Sequence, residues 1–115
     1  MRGIGTDIIE IGRIKRACQR HAFLERCFTE HEIEYFTIGA SKELRYESVA
    51  ACFAAKEAFA KALGTGIGEM SFKDIEVRHT DAGQPYICLD GTPKKNCFLS
   101  MSHCKEYATA TVFVE

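Results

Sequence analysis

The sequence predicts an α+β fold, with N-terminal helices, one of them long, packed on a mainly antiparallel sheet. Three observations point there. Cys52, Ala55, Phe59, Ala62 and Leu63 form a stripe at helical spacing. After residue 70 the period changes to two, in FKDIEVRH, YICLD, CFLSMS and YATATVFVE. Turn chemistry separates these runs, in TDAGQP and DGTPKKN. Helices first and antiparallel strands later favour α+β over a doubly wound sheet.

The elements follow in order. GIGTDIIEI opens as a strand, with Ile4, Thr6 and Ile8 alternating against Gly3, Gly5 and Asp7. A short helix follows through Ile14 to Cys18. In FTEHEIEYF, Thr29 and Glu32 have capping-box spacing, and Phe28 and Ile33 occupy the positions of a hydrophobic staple. That helix is expected to end near Gly39. Ser41 then caps a long helix over about Lys42 to Leu63, which stops at Gly64. In the last strand Ala108, Ala110, Val112 and Val114 share one face, while Thr109, Thr111 and Phe113 share the other.

Composition narrows the function. No linker, internal repeat or low-complexity tract divides the 115 residues, so 1–115 reads as one domain. A net charge of -1 gives no overall basic field for nucleic acid. No apolar run is long enough to span a membrane. Asp7 and Glu10 interrupt the N-terminus before a signal-peptide core can form. The six cysteines form no C-x-x-C pair and sit in apolar patterns such as AACFAA, as reduced core thiols would. That usage predicts a reducing, cytoplasmic setting.

The stretch FAAKEAFAKALGTGIG carries the candidate chemistry. Ala50, Ala54, Glu57 and Lys61 form a second stripe beside the core stripe, and its small alanines permit close approach of another backbone. Glu57 and Lys61 read either as an i,i+4 surface ion pair or as charges lining a cleft. The glycines of GTGIG can aim backbone N–H groups at an anion, although the loop lacks the GK of a P-loop. Asp7 reads either as a helix cap or partner of a basic residue, or as an oxygen ligand alongside Glu57. Two carboxylates, a lysine and a glycine loop suit Mg²⁺ and a pyrophosphate.

Five segments in order then resemble the small bacterial 4'-phosphopantetheinyl transferases. They are GIGTDIIEIGRI, FLERCFTEHEIEYF, FAAKEAFAKALGTGIG, FKDIEV with GQP, and LSMSHCKEYATATV. Thr6 and Cys104 are modest departures that remove no proposed ligand. The resemblance implies that family's fold. It also implies transfer of the phosphopantetheine arm of coenzyme A to a serine of acyl carrier protein, in support of fatty acid biosynthesis. Asp7 and Glu57 match the family's metal-binding carboxylates, with Mg²⁺ as the cofactor. Lys61 matches a catalytic lysine near the phosphates. Gly64, Thr65 and Gly66 match the turn that borders the nucleotide, and His103 matches a histidine at the coenzyme A site.

The same resemblance implies carrier docking through Arg13, with Lys15, Arg16 and Arg20 beside it. Acyl carrier proteins are generally acidic, so a local basic face suits them. A carboxylate or a metal-bound water could take the serine proton, and Glu32 is the residue weighed for that base. A homotrimer with sites shared between subunits is also implied. The last strand supplies a motive, because apolar residues on both of its faces leave one free to meet neighbouring sheets.

Overall fold

The computed structural model describes residues 2–20, 22–64 and 71–115. In chain order these form β1 (Gly3–Glu10), α1 (Ile11–Cys18), α2 (Phe23–Cys27), α3 (Glu30–Phe36), β2 (Thr37–Ile38) and β3 (Glu43–Leu44). The chain continues through α4 (Tyr46–Ala62), β4 (Ile75–His79), β5 (Pro85–Leu89), β6 (Thr92–Pro93), β7 (Cys97–His103) and β8 (Tyr107–Val114). A 3₁₀ turn at Phe72–Asp74 leads into β4. The α+β expectation holds, with every strand pair antiparallel.

Among the described residues three sheets form, in the orders β1-β8-β7, β2-β3 and β4-β5-β6. The first carries the site. Gly5 and Ile9 of β1, and Ala108, Ala110, Val112 and Val114 of β8, are buried against the core that α4 also enters. The opposite face of this sheet exposes Ile4, Ile8, Phe98 and Phe113. β1 reaches α4 because its contact face begins with glycine. A Cβ built on Gly3 would lie 1.8 Å from the Ala62 carbonyl oxygen, which no side chain can accommodate.

α4 is buried on most of its surface, from Val49 to Cys52 and again at Ala54, Ala55, Lys56, Ala58, Phe59, Ala60 and Ala62. Phe53, Glu57 and Lys61, spaced by four, form the row left open. Leu63 is its C-cap and Gly64 follows with φ +79°, so the glycine stop is where the sequence puts it.

The start of α4 differs from expectation. Glu43 and Leu44 pair with Ile38 and Thr37 in a two-residue hairpin, so the helix begins at Tyr46 with Arg45 as N-cap. Ser41 lies in the turn, its hydroxyl donating to Ile38 O. α3 likewise stops at Phe36, and Gly39 adopts φ +51° in that turn. α1 runs through Ile14 to Cys18 as expected, beginning at Ile11, and α2 carries too few residues to show a period. The capping box is formed: Thr29 N donates to Glu32 Oε1 (2.9 Å) and Glu32 N donates to Thr29 Oγ1 (3.2 Å). All six cysteines are free. Cys27, Cys52 and Cys88 are buried, whereas Cys104 is exposed and is not the core thiol expected. No helix among the described residues is long and apolar enough to cross a membrane.

Candidate active site

Asp7 occupies the middle of β1 on the strand face that begins with Gly3 and Gly5, and those glycines bring it to α4. Lys61 reaches across from the last turn of the helix. Its ammonium donates to Thr6 O (3.0 Å) and to Asp7 Oδ1 (3.2 Å). The ion pair that Lys61 makes is therefore with Asp7, and the expected i,i+4 pair with Glu57 is not formed. Asp7 caps no helix, because α1 starts four residues later.

Glu57 sits one turn before Lys61 and is half-buried. Burial pushes its carboxyl above the ordinary range, the Asp7 charge pushes it further, and Lys61 opposes both. Two carboxylates from different elements thus share one neighbourhood with a single ammonium. Their net negative charge is the arrangement a divalent cation relieves.

These three residues line a cleft of ≈ 590 Å³. Arg13, Arg16 and Arg20 of the α1 region and Arg26 of α2 line it too. Ile14, Phe23 and Phe53 give it an apolar wall, in which the rings of Phe23 and Phe53 lie 6.2 Å apart. The cleft therefore joins a pair of carboxylates, a basic rim and an apolar wall.

The family model of the 4'-phosphopantetheinyl transferase superfamily matches residues 3–112. The chain belongs to that superfamily. A holo-(acyl-carrier-protein) synthase of Oceanobacillus iheyensis is 46% identical, over 98% of this chain and 95% of that protein. Among solved structures, the holo-(acyl-carrier-protein) synthase of Bacillus anthracis in complex with CoA (3',5'-ADP) matches with TM-score 0.82 and 45% identity. That match covers 98% of this chain and 95% of the other. The synthase of Helicobacter pylori in complex with coenzyme A matches with TM-score 0.82 and 35% identity, covering 97% and 99%.

Within this phosphopantetheinyl transferase, Asp7, Glu57, Lys61 and Arg13 come together and His103 does not. His103 ends β7 and lines a second cavity of ≈ 250 Å³. The stacked rings of Tyr35 and His79, 4.0 Å apart, line the same cavity. Gly64 follows Leu63, the C-cap of α4, while Thr65 and Gly66 lie outside the described residues.

Sequence reasoning missed several residues. Arg26, Phe23 and Phe53 reach the cleft through α2 and the open row of α4. Lys56, fully buried, pairs with Glu32 at 2.6 Å. Its signal was present: position 56 follows Cys52 by four and precedes Phe59 by three, so it falls on the core stripe. A lysine there requires a buried partner. Glu32 is that partner, and its oxygens also accept from Thr29 N (2.9 Å), Val77 N (2.8 Å) and Cys52 Sγ (3.2 Å). With 1% of its surface exposed and its lone pairs engaged, Glu32 cannot serve as a base for an incoming serine.

Proposed function

We propose that this chain, a single domain over 1–115, transfers the 4'-phosphopantetheine group of coenzyme A to a serine of apo-acyl carrier protein. Holo-carrier and adenosine 3',5'-bisphosphate are the products, and fatty acid synthesis is the process served. The observation that carries this reading is the meeting of Asp7, Glu57 and Lys61 in one cleft with a basic rim. The serine hydroxyl gives up its proton to water as its oxygen bonds to the phosphorus that bears pantetheine. The anhydride P–O bond breaks, and its electron pair leaves on adenosine 3',5'-bisphosphate.

The two carboxylates fit a hard divalent cation, so Asp7 and Glu57 would hold Mg²⁺. Bound there, Mg²⁺ would supply charge withdrawal from the pyrophosphate. Lys61 offers its ammonium to the negative charge that develops on the phosphoryl oxygens, at the cost of its contact with Asp7. Gly64, Thr65 and Gly66 border the nucleotide in this reading. Arg13, exposed at the rim, meets the acidic carrier together with Arg16 and Arg20.

The working form in this reading is a homotrimer. Ile4 is 70% exposed, Ile8 64% and Phe98 57%, and Phe113 pairs with both Ile4 and Phe98 in the sheet. Ile4, Phe113 and Phe98 adjoin across the sheet, and an exposed apolar cluster of this kind suits a neighbouring copy. Association would let His103 of one subunit complete the coenzyme A site of the next.

The test is release of adenosine 3',5'-bisphosphate from coenzyme A. Release should require both a divalent cation and apo-carrier. Coenzyme A that binds but is never cleaved in their presence would leave a binding module without turnover.

A further inference from the structure

We propose that Lys56 is a positioning residue that fixes the two walls of the cleft relative to each other. This rests on the transfer reading above. Lys56 precedes Glu57 in α4 and is fully buried outside the cleft. Its ammonium donates to Glu32 Oε1 (2.6 Å), Cys27 O (2.9 Å) and Phe72 O (2.8 Å), and stands 5.0 Å from the centre of the Phe28 ring. An ammonium has three N–H donors, and all three are used.

The acceptors lie on three separate segments. Cys27 ends α2, Glu32 belongs to α3, and Phe72 opens the turn before β4. α2 supplies Phe23 and Arg26 to the cleft, while α4 supplies Phe53, Glu57 and Lys61. Lys56 therefore ties one wall to the other at the Cys27 carbonyl.

α2 needs that tie. It has five residues, no side-chain cap, and Ala22 before it at φ +73°. A helix of that length does not sustain itself, and the carbonyls of its last turn lack intrahelical partners. A cation at this end satisfies one carbonyl and complements the helix dipole.

Packing alone does not account for a lysine here. Apolar side chains of similar volume commonly replace buried ion pairs without loss of stability. They cannot bind three oxygens on three segments. The bond from the Lys56 ammonium to the Cys27 carbonyl thus specifies where α2 sits, and with it Phe23 and Arg26.

The test compares wild type, Glu32→Gln, and the charge-balanced double variant Lys56→Met/Glu32→Gln. The double variant should fold, with exchange of the β1-β8-β7 amides unchanged. Amide exchange in Phe23–Cys27 should rise at least about tenfold, as local opening there becomes easier. The KM for carrier should rise about tenfold while the KM for coenzyme A stays within about twofold, because rim contacts are lost. A partly unfolded sample would lower kcat and leave both KM values alone. Glu32→Gln leaves the Lys56 ammonium without its counter-charge, so global stability should fall. It keeps the bonds from Lys56 to Cys27 and Phe72, so in folded protein the KM values and the exchange of α2 relative to the β1-β8-β7 amides should stay near wild type. Wild-type α2 exchange and wild-type KM values in the double variant would overturn the proposal. So would equal effects in the two variants, or failure of the double variant to fold, which would make Lys56 a residue of the whole fold. Wild-type protein that transfers nothing would instead remove the transfer reading, while α2 exchange still decides whether Lys56 holds that helix.

Discussion

Gly5 and Ala58 meet backbone to backbone: a Cβ built on the glycine would lie 1.9 Å from the Ala58 carbonyl oxygen. Asp7 is the next residue on that face of β1. A methyl group at position 5 has to push the strand away from α4, and Asp7 moves with it. Gly5→Ala should therefore cost about 1–3 kcal/mol or more in chemical denaturation, as overpacked cores do. Transfer per folded molecule should fall as well. A variant with wild-type stability and rate would show slack between strand and helix.

Glu57 should trade stability for function. Burial first, and Asp7 second, raise its pKa in the folded protein. A carboxyl whose folded pKa exceeds its unfolded value binds a proton more readily when folded. The stability linked to that proton is present below the unfolded pKa and is lost as pH rises through the folded one. At neutral pH the ionised group is thus a cost. In metal-free protein Glu57→Gln should unfold at the same or higher denaturant than wild type at pH 7, with the difference shrinking as the pH falls toward the ordinary carboxylate range. The same variant, like Asp7→Ala, should lose transfer by about 100-fold or more, since cation binding supplies several kcal/mol of charge stabilisation. A destabilised Glu57→Gln at neutral pH would contradict the first part, and wild-type turnover at limiting Mg²⁺ the second.

How far the sequence reaches is visible in these residues. The glycine and alanine spacing that brings Asp7 to α4 is local, and the capping box at Thr29 and Glu32 is local too; both are legible. The hairpin joining Thr37–Ile38 to Glu43–Leu44 is not, because two-residue strands show no period. Which of the open readings of Lys61 holds is settled by tertiary packing. Spacing along a helix names Glu57, whereas Asp7 comes from a strand 54 residues away. Lys56 and Glu32, 24 residues apart, find each other only through packing. The cleft residues on α2 depend on the same packing.

Arg13→Glu should weaken carrier docking. Arg13 is exposed at the rim of the cleft, so reversing its charge changes encounter with an acidic partner more than folding. The KM for carrier should rise and become less sensitive to salt, with coenzyme A affinity unchanged by calorimetry. Equal losses for both substrates would place Arg13 in the coenzyme site.

Subunit sharing can be tested by mixing inactive chains. Glu57 lines one cavity of the chain and His103 another. Glu57→Gln and His103→Ala proteins, dissociated and reassembled together, should regain part of the activity, since some interfaces then join two intact halves. An inactive mixture despite demonstrated exchange would contradict that division. A fully active monomer in light scattering would contradict the trimer itself.

The central claim is tested most directly by intact-mass spectrometry of apo-acyl carrier protein incubated with coenzyme A, Mg²⁺ and this protein. The carrier should gain the mass of one phosphopantetheinyl group on a single serine, and chelation of the metal should abolish the gain. A folded carrier that stays at its apo mass with metal and coenzyme A in excess would contradict the account.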